Sequence, residues 1–116
     1  MPKDTDLEKK IRLDAIEDAT KYATEIPFKV METSFKSMEV MQAMLQDGLK
    51  NSLSDAGVGV LCARAAVIGA YFNVRINAKD IKDRDFATAI LSKAAIIYEK
   101  TIAMEQETIS YIDSQM

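Results

Sequence analysis

Residues 51–77 read NSLSDAGVGVLCARAAVIGAYFNVRIN, and this stretch decides the fold. From Ala56 to Phe72 it holds one charged residue, Arg64, and it carries small side chains at Gly57, Gly59, Ala63, Ala65, Ala66, Gly69 and Ala70. A helix apolar nearly all round belongs inside a bundle, where small residues let neighbouring backbones approach. Arg64 at the middle of the run argues against a bilayer span, because an arginine at that depth costs about 2.5 to 3.5 kcal/mol on insertion scales. Within a bundle the same arginine needs a carboxylate or carbonyl partner, since a buried unpaired guanidinium costs several kcal/mol.

Upstream, Leu7, Ile11, Ala15, Ala19, Tyr22 and Ile26 recur at spacings of three and four, which predicts an amphipathic helix. Pro27 lacks the amide hydrogen a helix interior requires, so it either kinks this helix or opens the next at its first position. The next seam is Phe28, Met31, Phe35, Met38, Met41 and Leu45, ending at Gly48. Its methionines admit two readings, an adaptable ligand surface or core packing; helical spacing alone favours the core. Downstream, Asp83 and Asp85 suit the positive end of a helix dipole, and a segment of about 30 residues follows, close to 45 Å of helix at 1.5 Å per residue. It carries two apolar stripes, one through Phe86, Ile90 and Ala94 and one through Leu91, Ala95 and Tyr98. A face that wide meets more than one neighbour, and part of it is expected to meet another chain.

The resulting expectation is an all-α bundle of three to four long helices with a small-residue central helix, a single domain over residues 1–116. Two prolines and four glycines are too few for the frequent turns of a β-sandwich. Without histidine, imidazole catalysis and imidazole metal ligation are excluded, and the lone Cys62 cannot form an internal disulfide or a cysteine-pair zinc site, so no metal site is expected. A net charge of −3, with 15 basic and 18 acidic residues interspersed, offers no basic footprint for nucleic acid. The charged start, with no apolar h-region, argues against a secretory signal and for the cytoplasm.

Two polar groups flank the apolar helix. At its start, Asn51, Ser54 and Asp55 read either as caps for free amides or as a polar wall at a helix N-terminus, where anionic or amide-bearing ligands are readily held. At its end, Asn73, Arg75 and Asn77 read as C-terminal capping and dipole complementation.

The 51–77 string, with Glu25-Ile26-Pro27-Phe28-Lys29-Val30-Met31 upstream, resembles the cyclodeaminase/cyclohydrolase family, which includes the formiminotetrahydrofolate cyclodeaminase domain and bacterial methenyltetrahydrofolate cyclohydrolases. The Ser-Asp-Ala-Gly turn, the small-residue helix and the Asn-Val-Arg-Ile-Asn ending carry the resemblance. It implies folate one-carbon chemistry: N10 of a reduced folate attacks the formimino carbon held on N5, closes the methenyl ring and releases ammonia, or the methenyl ring is hydrolysed. Such proton transfers can be carried by carboxylates or bound waters without histidine. The resemblance implies a catalytic role for Asp55 and substrate-binding roles for Asn51, Ser54, Asn73, Arg75 and Asn77. It also implies a tetrahydrofolate derivative as substrate with no permanently bound cofactor; the apolar stripes predict a homodimer or higher homo-oligomer, and the charge balance and Arg64 speak against nucleic-acid and membrane partners. Lys50, Arg75, Lys79 and Lys82 are candidates for the folate's glutamate tail. Family members resemble longer chains, with N-terminal helices bearing a Gly-rich loop and an acidic residue; the expectation is that this chain corresponds to their C-terminal portion and does not turn over substrate usefully alone. The alternative is a catalytically inert helical oligomerisation module derived from that family.

Overall fold

The computed structural model describes residues 5–47 and 53–116, and among them all regular structure is helical. Three helices follow one another: α1 (Asp6–Asp47), α2 (Leu53–Ala78) and α3 (Arg84–Gln115). Together they form a rod with principal extents of 71 × 23 × 17 Å. The expected junctions after residue 77 and before Asp83 are present. The break at Ile26-Pro27 is not, because α1 runs through Pro27 without interruption. The Gly48 terminator lies outside the described residues.

Continuity through Pro27 has an identifiable source. A proline at 27 withholds the hydrogen that would bond the carbonyl of Ala23, one turn earlier. That carbonyl instead accepts a hydrogen bond of 3.0 Å from the Asn77 side-chain amide at the end of α2. The gap is therefore filled by another helix, and the same bond fixes α2 to α1.

Each helix end has its own device. Thr5 accepts from the backbone amide of Glu8 at 3.1 Å and opens α1 with a Thr-x-x-Glu sequence suited to reciprocal capping. Asp83 caps α3 by accepting from the Phe86 amide at 3.1 Å. At the end of α2, the Arg84 guanidinium donates to the carbonyls of Ala78 and Ile81 at 3.1 and 2.9 Å, and the fully buried Ile81 anchors the turn against Ala78 and Ala87. The turn is also held from α1: the two carboxylate oxygens of Glu17 accept the backbone amides of Lys82 (2.9 Å) and Asp83 (2.8 Å), while Lys21 donates to Asp83 at 3.0 Å.

These bonds set a pH dependence. Hydrogen bonds from the Lys82 and Asp83 amides hold the Glu17 carboxyl below the usual glutamate range, and those from the Phe86 amide and Lys21 do the same for Asp83. The Asp83 carboxylate raises Lys21 above the ordinary lysine value. Carboxyls with lowered folded values contribute stability above their unfolded values and lose it as pH falls through the folded ones. Lys21 contributes below its unfolded value and loses that contribution as pH rises through its folded one. Thermal melting should therefore be steady from about pH 5 to 10 and decline on both sides. Glu17→Gln should flatten the acid limb; an unchanged acid limb in that variant would remove Glu17 as a stabilising clamp.

The core follows the predicted seams. Met31, Met38 and Leu45 of α1 pack against Val60, Val67 and Val74 of α2 and Ala94 of α3. Met31 and Met38 are fully buried, and Met41 packs against the same cluster, while Met44 is exposed. The methionine stripe is therefore mostly core. Two glycines permit close approach: a Cβ at Gly57 would collide with Ile112, and one at Gly59 with Met41. Arg64 finds its carboxylate in Glu105 of α3, with Nε 2.8 Å from Oε2 in an ion contact that lacks hydrogen-bond alignment. α2 contacts both other helices, yet it is not enclosed. By length and composition it is apolar enough to cross a membrane, and only a third of its most apolar window is buried.

Candidate functional site

The sequence-predicted residues fall at two separate places. Ser54 and Asp55 lie in the first turn of α2 and are exposed; Asn51 lies outside the described residues. Asn73, Arg75 and Asn77 lie in the last turns of the same helix. Asp55 and Asn77 are 22 residues apart in sequence, about 33 Å along an α-helix at 1.5 Å per residue. One chain therefore does not bring the proposed catalytic carboxylate to the proposed binding amides.

At the C-terminal end, Asn73 and Asn77 share a groove along the α1–α2 seam. Its volume is about 390 Å³, and its floor is made by Ile26, Pro27 and Val30 from α1 and Ala66 and Ala70 from α2. The Pro27 ring and the small alanines leave the seam shallow and apolar. The asparagines add donors and acceptors along one edge. Asn77 already commits one amide hydrogen to the Ala23 carbonyl, so its second hydrogen and its carbonyl oxygen are what it offers a ligand. Across the ridge of Ile26 and Val30 lies a second groove of about 410 Å³, edged by Tyr22, Glu25, Lys29, Thr33 and Ser34. An apolar floor with a few convergent polar groups is the usual make-up of a small-molecule site, and both volumes fall in the usual range.

Arg75 points elsewhere. Its guanidinium lies 5.5 Å from the Tyr71 ring centroid, and Tyr71 stacks on Tyr98 of α3 with ring centroids 4.7 Å apart. With Phe72, Ile76 and Lys79 it lines a smaller groove of about 200 Å³. Among the candidates for a glutamate tail, Lys79 shares that groove. Lys82 lines another one beside Lys9 and Lys10, and Lys50 lies outside the described residues. Sequence reasoning missed Pro27, Lys29 and Tyr22 as groove residues. Pro27 was the visible signal, because an unbroken helix through a proline requires an outside donor for the carbonyl four residues back.

Comparison with known proteins gives this all-helical unit its class. The family model described as formiminotransferase-cyclodeaminase matches residues 1–96. The chain belongs to that family. The methenyltetrahydrofolate cyclohydrolase of Methylorubrum extorquens is 32% identical over 116 residues, which is 100% of this chain and 56% of that protein. The formimidoyltransferase-cyclodeaminase of Rattus norvegicus is 36% identical over 86 residues, 74% of this chain and 16% of that protein; its Gallus gallus counterpart is 36% identical over 88 residues, 76% and 16%. The chain thus spans about half the length of the cyclohydrolase and a sixth of the cyclodeaminases, matching their C-terminal part.

Proposed function

We propose that the chain acts on a reduced folate, either closing the methenyl ring of a 5-formimino derivative with loss of ammonia or hydrolysing that ring, and that the Pro27 groove receives the folate ring system. The observation that supports this reading is the Asn73 and Asn77 edge over the floor of Pro27, Ala66 and Ala70. A flat heterocycle with alternating donors and acceptors suits side-chain amides, which offer both, and lies on small apolar residues without displacing them. Lys29, in the neighbouring groove, is placed to meet a carboxylate of the glutamate tail. Asp55, the acid–base group, lies about 27 to 33 Å along α2 from the Asn73 and Asn77 edge of that groove, so it acts there from a second chain of a homodimer, holding or releasing a proton on the attacking or leaving nitrogen.

Two measurements test the reading. Titration with 5,10-methenyltetrahydrofolate, followed by its absorbance and by protein fluorescence, should give saturable binding. Asn73→Ala should weaken that binding about tenfold, or about 1.4 kcal/mol, while leaving helicity unchanged. The same absorbance reports formation of the methenyl product from 5-formiminotetrahydrofolate and its loss by hydrolysis. Absence of folate binding would favour an inert helical module over the enzyme reading, whereas binding without useful turnover matches the expectation for this chain alone.

A further inference from the structure

We propose that the groove between α1 and α3 is a second binding site, for a free α-amino acid with a large apolar side chain. It is lined by Glu25 and Phe28 of α1 and by Phe86, Ala89, Ile90 and Lys93 of α3, and its volume is about 330 Å³. Helical spacing puts it on the opposite flank of the buried α1 stripe from the Pro27 groove, which α1 forms with α2. The two grooves have no lining residue in common.

The floor lies where the two hydrophobic clusters of the protein meet. Phe28 packs against the cluster of Met31, Val67 and Val74, and Phe86 against that of Ala78, Ile81 and Ala87. This chain buries both rings only in part, and Ala89 beside them is exposed and too short to cover them. Two phenyl rings with Ile90 form a surface that gains from contact with an aromatic or branched apolar group.

The charges at the rim select the ligand. One of each sign is present, on different helices: Glu25 on α1 and Lys93 on α3. Among the described residues, neither makes an ion pair or a side-chain hydrogen bond. Lys21, whose ammonium lies 5.1 Å from the Phe86 ring centroid, is committed to Asp83 at 3.0 Å and adds no free charge. An apolar acid in the groove would satisfy Lys93 but bring its carboxylate towards Glu25, and an apolar amine would satisfy Glu25 but meet Lys93. An α-amino acid carries both charges on one carbon and offers a counter-charge to each, while its side chain covers the phenyl rings. The volume is at the low end of the usual range for small-molecule sites, which suits one amino acid rather than a peptide or a nucleotide.

Titration of the isotope-labelled chain with L-phenylalanine, phenethylamine and 3-phenylpropionate, followed by NMR, tests the assignment without any folate. A ligand of about a dozen non-hydrogen atoms should bind in the millimolar range, with amide shifts concentrated around Glu25, Phe28 and the Phe86 to Lys93 turns. L-Phenylalanine should bind about threefold more tightly than either single-charge probe, the advantage that solvated ion pairs allow. Glu25→Gln should reduce it to the level of 3-phenylpropionate, and Lys93→Met to that of phenethylamine. Ala89→Trp, which fills the groove from an exposed position, should abolish binding of all three with helicity unchanged. Equal affinity of the three probes, tighter binding of a single-charge probe, or charge variants that leave the advantage of L-phenylalanine intact would overturn the amino-acid assignment. Shifts confined to other parts of the chain, or no saturation up to the solubility limit, would overturn the site itself. The two charge variants change only the rim and decide the question should Ala89→Trp misfold.

Discussion

Pro27→Ala is expected to stabilise the protein, and to do so in a way that makes Asn77 redundant. In a helix interior proline is about 3 kcal/mol less favourable than alanine, because a hydrogen bond is missing and the ring crowds the preceding turn. Restoring an amide hydrogen at residue 27 lets the Ala23 carbonyl return to its ordinary partner. In the wild type that carbonyl depends on the Asn77 side chain at 3.0 Å, so Asn77→Ala should cost about 1 kcal/mol by leaving it without a protein donor. In the Pro27→Ala background the same change should cost close to nothing. The coupling measured by this double-mutant cycle is the prediction, and denaturant melts of the four proteins supply it. Additive effects would show that the Asn77 bond does not compensate for the proline. The stabilised variant should at the same time bind folate worse, since the Pro27 ring forms part of the groove floor. A residue that costs stability and shapes a groove is the kind of local conflict that functional sites retain.

The elements that sequence reading located are those whose signals are local. Asp83 before an apolar-periodic segment marks a helix start, and it caps α3 as expected. Met31 and Met38 sit where a helical seam puts core residues. Arg64 in an apolar run had to find an acid, though only the fold identifies it as Glu105. What escaped was every feature whose cause lies far along the chain. The continuity of α1 depends on a side chain 50 positions later, and Glu17, which reads as a solvated charge, holds the turn at Lys82 and Asp83 through both of its oxygens. The fourth segment shows the same limit from the other side. Its stripes read as partly an interface; Ile90 and Ala94 are buried and Leu91, Ile97, Met104 and Ile112 pack against the core, while Ile96 and Ile109 stay exposed. Periodicity reports which face is apolar and is silent on whether the same chain or another covers it. On α2 the apolar residues go all round, and only the fold shows which third is enclosed.

The candidate site was legible as two polar clusters but not as a geometry. Spacing places Ser54 and Asp55 at one end of a helix and Asn73 and Asn77 at the other, and nothing in a linear pattern says whether both belong to one site. Neither cluster carries an obvious structural reason to be a site alone: the first is in keeping with helix opening, and Asn77 already has a structural bond.

Asp55→Ser separates the two roles of the first cluster and carries the largest expected effect on function. Serine caps a helix about as well as aspartate, so the exchange preserves the local hydrogen-bonding capacity near the start of α2. Asp55 is exposed, and melting should shift little. Serine cannot hold or release a proton near neutral pH, however, and the contribution of a positioned acid–base group is typically about 10² to 10⁴ in rate. In a chain extended to the length of the cyclohydrolase relative, turnover of 5-formiminotetrahydrofolate or of the methenyl derivative should therefore fall at least tenfold, with KM changing less than kcat because the groove is untouched. If Asp55 acts across the proposed dimer, mixing Asp55→Ser chains with Asn73→Ala chains should restore part of the activity. A mixed dimer regains one site with both groups intact, since the wild-type Asp55 and the wild-type Asn73 then lie on opposite chains. Mixtures no more active than the separate variants would place Asp55 outside a site shared between chains, and full activity of Asp55→Ser on its own would return it to a purely structural role.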